Sequence, residues 1–438
     1  MNDDARHAGT TLAGQRAAGG TPNVILVTFD SLSAEDMSLY GYRRHTTPFI
    51  DSFAGESYVF ENMHANSNST IPSLASIMTS RYPVKHRFDW LCSQPTGGSR
   101  AEDLGDVLKS KDYRTAAVIG MRPGYLWIDS LGTAGHGRLT RMMAGRFRER
   151  SISGVTTSLD ATFRKTLEIL DSACEPFFLW LHVYPPHRPY LPSRAFRGIF
   201  VKEKVFDVIH SQRPYYNRFY PATSQPAVDM LRGRYNEHIL EIDHKFGAFL
   251  ESIEDRGLFD TSIIVLTSDH GEMFERGYQG HCGPLLYNPL LHIPLIVRLP
   301  NGRPGGRVTT SAEQVDIAPT ILDLLGCEIP RGMHGESLVG AMLGGCGSGK
   351  PKFSVSTAYR TAGGRSHGRS MAVVANGHKL ILNVRSGACE LYDLARDPGE
   401  STDLTTYERE MGQDLKEMIL ERSANDDAAF RRLLREAS

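Results

Sequence analysis

The chain has no excess of charge of either sign: 49 Lys and Arg stand against 50 Asp and Glu. Binding to nucleic-acid phosphates through counterion release needs a basic face, so no nucleic-acid partner is expected. Long apolar runs are missing too. The longest are strand-length pieces such as PFFLWLHVY, short of the ~18 residues that span a bilayer, so no membrane partner is expected. The opening stretch has Asp3 and Asp4 directly after its first residues and lacks the apolar core of a secretory leader; it reads as a flexible tail over 1–22, and the expected location is the cytoplasm. Six cysteines, Cys92, Cys174, Cys282, Cys327, Cys346 and Cys389, include no Cys-x-x-Cys pair. Neither a cysteine zinc site nor a disulfide framework is expected.

What is present is an ordinary globular balance, 40% hydrophobic and 23% charged over 438 residues, enough for a large α/β domain with a smaller appendage. NVILVTFD, RTAAVIG, PFFLWLHVY and TSIIVLTSD are short, continuous and rich in β-branched or aromatic residues, as buried parallel strands are, and IPLIVRLP is a further candidate. Between them EDLGDVLKS, SLDATFRKTLEILDSA and ILEIDHKFGAFLESIEDRG space apolar residues three and four apart, as helices do. This alternation predicts a mostly parallel sheet sandwiched by helices over residues 23–343. From about Pro189 to Arg234 periodicity fails, and the segment reads as an excursion over the sheet's rim. After a Gly-rich connector, residues 353–438 predict a small α+β subdomain of short antiparallel strands with a charged terminal helix.

Open α/β sheets bind ligands beyond the carboxyl ends of their strands, which is where Asp30 and Asp269 fall. Each could equally cap the next turn. Asp269 is followed by His270, Gly271 and Glu272, a hard oxygen beside an imidazole that suits a divalent cation, although Glu272 reads more simply as a first-turn helix residue. In NSNSTIPSLASIMTSRYP, Thr70 precedes Pro72 and the helically spaced Leu74, Ile77 and Met78. It is either a helix N-cap or a nucleophile favoured by the positive helix end.

Taken in order, NVILVTFD, YGYRRHTTPFIDSFAGES, NSTIPSLASIMTSRYP, FLWLHVYPPHRPY, IIVLTSDHGE, GHCGPLLYNPLLHIPLIVRLP, VDIAPTILDLLG and ELYDLARDPGE resemble sulfatase-family proteins of the alkaline phosphatase superfamily from about Asn23 to Leu404. The resemblance implies an alkaline-phosphatase-like fold. It implies Asp30, Thr70, Asp269 and His270 around one divalent metal ion (Mn, Mg, Ca or Zn), and Thr70 as the nucleophile. Arg81 would support the site, His187 and His281 would face the substrate or its leaving oxygen, and Asn68 would lie on the substrate side. His182 is expected to be a strand residue with structural hydrogen bonds.

The chain also departs from that family's pattern. Sulfatases carry a Cys or Ser, converted to formylglycine, within Cys-x-Pro-x-Arg; here Thr70 and Leu74 stand in those places, so no formylglycine is expected. Ser31 stands where many relatives have a second Asp, which thins the acidic cluster to a one-metal site. In VIGMRPGY, Arg122 is the cation available to grip an anion. The expected activity is metal-dependent hydrolysis of phosphate or phosphonate esters on Thr70, because a phosphothreonine can be cleaved by water at phosphorus whereas a sulfothreonine has no aldehyde exit. Formylglycine-independent sulfate-ester hydrolysis or group transfer, and a catalytically silent anion-binding protein, are the alternatives. The expected partner is a small anionic ester, and a homo-oligomer is allowed.

Overall fold

A computed structural model describes residues 20–86, 102–120, 153–156, 158–302, 305–345, 349–356, 359–360, 366–367 and 369–426. Its centre is an eight-stranded sheet in the order Gly306–Val308, Tyr58–Phe60, Leu295–Arg298, Ser262–Ser268, Asn23–Asp30, Phe177–Pro186, Arg114–Gly120 and Ser153–Thr156. Asn23–Asp30 lies between Ser262–Ser268 and Phe177–Pro186, parallel to both and buried along its whole length. Strand periodicity splits its side chains between two cores. Val24 and Leu26 face the helices Thr70–Thr79 and Ile317–Leu324, while Ile25, Val27 and Phe29 face Leu159–Leu170 and Gln225–Glu254.

The alkaline-phosphatase-like α/β architecture expected from the sequence is the one found, with two differences. Leu295–Arg298 runs antiparallel to both of its neighbours. The helix expected from Ile239 starts at Gln225 instead, with Pro226 in its first turn. Its periodicity is hidden because the early turns bury polar groups that have partners. Arg234 pairs with Glu237 and Asp207, and the Tyr235 hydroxyl donates to Ser31 O at 2.6 Å and accepts from Ser33 N at 3.1 Å. Those last two bonds fix the loop that follows Asp30.

The C-terminal sheet, ordered Lys352–Val355, Ser370–Ala375, His378–Asn383 and Cys389–Asp393, is antiparallel, and its middle hairpin turns at Asn376 and Gly377 with φ of 52° and 75°. Its first strand leans on the segment entering the Thr70 helix. Val355 N donates to Asn66 O at 2.9 Å, and Asn66 Nδ2 donates to Phe353 O at 2.8 Å. This sheet therefore helps to set where that helix begins. Among the described residues Cys174, Cys282, Cys327 and Cys389 are unpaired, and no helix is long and apolar enough to cross a membrane.

Candidate active site

Two parallel strands bring the carboxylates together. Asp30 ends one, where a register shift after Phe29 turns the chain, and Ser31 takes the left-handed conformation at φ 67°. Asp269 directly follows the neighbouring strand, its amide donating to Phe29 O at 3.1 Å. Asp269 Oδ1 accepts from Ser31 N at 2.9 Å and His270 N at 2.7 Å, but its Oδ2 is buried with no hydrogen-bond partner among the described residues. Gly271 is needed here for close approach: a Cβ would sit 2.0 Å from Pro289 O.

Thr70 is the first residue of the buried helix Thr70–Thr79, and its hydroxyl lies 3.3 Å from His270 Nε2. Ser69 occupies the cap position, and neither side chain caps the helix. The N-cap alternative for Thr70 therefore fails, and its hydroxyl is turned into the site at the positive helix end. Leu74, in the place of the family's Arg, is fully buried in the core.

Four imidazoles surround the carboxylates. His270 Nδ1 faces Gly271 O at 2.9 Å, so the proton belongs there and Nε2 is left towards Thr70, at 3.5 Å from Asp269 Oδ2 and 3.9 Å from Asp30 Oδ1. Burial opposes a charge on this ring, but Asp269 and Asp30 outweigh it and raise its pKa. His281 packs against His270, the rings tilted by 35° with centroids 4.3 Å apart, and points Nδ1 at Glu272 Oε1, 3.2 Å away. Burial holds His281 well below its ordinary range. His187 Nδ1 donates to Arg188 O at 2.6 Å, and its Nε2 lies 3.2 Å from the Tyr216 hydroxyl, which is also 3.4 Å from His281 Nε2. Tyr216 belongs to the excursion after Pro189, which is thereby placed against the site. Asn217 anchors it there by accepting from His281 N at 3.0 Å and Cys282 N at 3.2 Å.

Asp30, Thr70, Asp269 and His270 thus converge, with His281 beside them and His187 packed against His281, ring centroids 5.0 Å apart. The other expected positions differ. Arg81 donates from Nε to Gly332 O at 3.1 Å and makes no described contact with Asp30, Thr70, Asp269 or His270. Asn68 is buried, with Nδ2 donating to Gly283 O at 2.9 Å and Leu285 O at 3.0 Å, so its amide hydrogens hold the loop after His281 and are not free for substrate. Arg122 lies outside the described residues. Glu272 is not in a helix: it is 1% exposed, oriented against His281, and burial raises its carboxyl to about 7.

His182 is the residue that sequence reasoning undervalued. It is opposite Thr28 in the parallel register, on the same side of the sheet as Asp30 because strand side chains alternate. Its Nε2 lies 3.8 Å from Asp30 Oδ2, and its Nδ1 is 2.9 Å from Thr28 Oγ1, which accepts from Trp180 Nε1 and can donate to Leu181 O. One ligand atom each from Asp30, His182 and Asp269 lie within 4.8 Å of one another.

These residues fit a divalent cation. Burial, with the neighbouring Asp30, raises the Asp269 carboxyl to about 6 against the opposing pull of His270, and no described donor reaches its Oδ2, so a divalent cation would supply the compensation still missing. Asp30 is also penalised by burial, but His187, His182 and His270 hold it well below the usual carboxylate range. His182→Gln is expected to weaken Mn²⁺ affinity by at least about tenfold in a calorimetric titration. Unchanged affinity would assign His182 to packing alone.

Fold and site together define an α/β ester hydrolase with a cation-fitting carboxylate and imidazole centre. The sulfatase pattern matches residues 22–327, well over half of the chain, and the pattern of the C-terminal part of N-sulphoglucosamine sulphohydrolase matches 281–425. The protein belongs to the sulfatase family, within the alkaline phosphatase superfamily. It is similar to dog N-acetylgalactosamine-6-sulfatase (26% identity, covering 78% of this chain and 70% of that protein) and to human arylsulfatase A (25%, 90% and 85%). Among solved structures it shares its fold with a protein in complex with its substrate D-glucosamine-2-N,6-O-disulfate (TM-score 0.72, 20% identity, 92% of this chain and 98% of that one). It also shares it with the phosphonate monoester hydrolase of Agrobacterium radiobacter (0.68, 19%, 93% and 96%).

Proposed function

We propose that the protein hydrolyses phosphate or phosphonate esters with Thr70 Oγ1 as the nucleophile. The observation that carries this reading is the Thr70 hydroxyl, unused as a cap and 3.3 Å from His270 Nε2 at the head of a buried helix. Asp30, Asp269 and His270, with His182, would hold a divalent ion; when bound it supplies Lewis-acid charge stabilisation and favours the ionised hydroxyl. The helix N-terminus orients the anionic group towards Thr70. The ionised Oγ1, its proton given up to solvent, forms a bond to phosphorus as the ester oxygen departs, and that oxygen takes its proton from the Tyr216 hydroxyl, held by His187 and His281 and reprotonated by the water that attacks next. Glu272 orients His281 by accepting from Nδ1. Water then attacks phosphorus and releases Thr70.

Sulfate-ester hydrolysis is the second reading, favoured by the names of the two sulfatase relatives. Because a Thr sulfate has no aldehyde exit, water would attack sulfur directly and Thr70 would only position the anion. Metal-loaded protein assayed on phenyl phosphate, bis-phenyl phosphate, phenyl phenylphosphonate and phenyl sulfate separates the two. The first three are expected to exceed the sulfate at least tenfold in kcat/KM. A preference for phenyl sulfate reverses the order.

A further inference from the structure

We infer that Arg188 selects substrates carrying a second acidic group on the alcohol part of the ester, an inference that rests on the hydrolase reading above. Arg188 is 8% exposed, and both Nε and Nη2 are buried without a hydrogen-bond acceptor among the described residues. No described carboxylate lies within ion-pair distance of it. The chain treats its other buried guanidinium groups differently: Arg234 meets Asp207 at 2.8 Å and Arg298 meets Asp260 at 2.9 Å. What Arg188 does have is the face of Tyr216, 4.4 Å from the ring centroid. A cation–π contact offsets only part of what is lost when a charge leaves water unpaired.

The unmet charge lies beside the reaction centre. The Tyr216 hydroxyl contacts Nε2 of both His187 and His281, so the guanidinium sits one aromatic ring away from the two imidazoles. Its backbone is held as well, since Arg188 O accepts from His187 Nδ1 at 2.6 Å and from the Tyr184 hydroxyl at 2.7 Å. A fixed planar fork with unused N–H groups matches a carboxylate, sulfate or phosphate oxygen pair. The group being cleaved belongs at Thr70, among His270 and the carboxylates, whereas Arg188 lies over the tyrosine ring and not at its hydroxyl end. Its anion is therefore a different one, carried by the leaving group.

Phenyl and 4-carboxyphenyl phosphate, with the corresponding sulfates, test this on the metal-loaded full chain. The ratio of kcat/KM for the acid-bearing over the plain ester is expected to fall at least tenfold in Arg188→Gln, to recover in part in Arg188→Lys, and to be unchanged in the exposed control Arg396→Gln. Comparing ratios between proteins cancels the intrinsic leaving-group difference. A parallel fall on both esters would place Arg188 on the group being cleaved, and an unchanged ratio would leave it a packing residue; either overturns the inference. Calorimetric affinities for 4-sulfobenzoate and benzenesulfonate give a readout free of turnover. The wild type is expected to favour the dianion at least tenfold and Arg188→Gln to lose that preference. Absence of hydrolysis with the binding preference intact would sink the catalytic reading and spare this one.

Discussion

Asp269→Asn is expected to lower kcat/KM by at least about a thousandfold, some 4 kcal/mol of transition-state stabilisation, while leaving the metal-free protein as stable as wild type or more so. The asymmetry follows from the unpartnered Oδ2. In the fold, burial raises the Asp269 carboxyl to about 6, whereas the unfolded chain ionises it near its ordinary value. Between about pH 4 and 6 the folded state therefore binds more protons, so this group's contribution to stability is present at low pH and is lost as pH rises through 6. At pH 8 the metal-free wild type carries the full penalty, on the order of 3 kcal/mol, and the amide removes it. Thermal melts with and without Mn²⁺ check this: wild type should gain about 3 kcal/mol at a metal concentration a hundred times Kd, and Asp269→Asn nearly nothing. A full metal-dependent shift in the variant would show that the cation binds elsewhere.

Thr70→Ala separates the two readings of the chemistry. If Oγ1 is the nucleophile, turnover of phosphate esters falls by a factor on the order of a thousand or more, and Thr70→Ser retains most of it. Stability should change by no more than about 1 kcal/mol, because among the described residues the hydroxyl makes one side-chain hydrogen-bond contact, to His270, and does not cap the helix. Mass spectrometry of acid-quenched wild type should reveal phosphate on Thr70 during turnover. Thr70→Ala with near-normal kcat would remove Thr70 from the chemistry and favour direct attack by water.

Much of this site is legible in the chain because the motifs sit at strand ends. Asp30 and Asp269 stand at the ends of hydrophobic runs that read as buried parallel strands, and a parallel sheet brings such ends to one edge. His270 follows by adjacency. His182 escapes because it lies inside its strand, four residues before the Pro186 that ends it, and only the register opposite Thr28 aligns it with Asp30. Glu272 escapes because an acid after Gly usually opens a helix, and no helix forms there; the carboxylate's partner, His281, is nine residues further on. Arg81 and Asn68 carry motif positions whose side chains the folded chain spends on backbone carbonyls.

The sequence by itself determined the class of fold, the family and the chemical identities at the heart of the site, since apolar run length, strand-end polarity and the Thr in place of Cys or Ser are local properties. Only the tertiary structure decided which imidazoles gather around the carboxylates, that Thr70 turns its hydroxyl inward, and that Arg188 is buried without a counter-charge among the described residues. Those outcomes depend on strand register and on an excursion folding back over its own sheet, and no residue encodes its distance to a partner two hundred positions away.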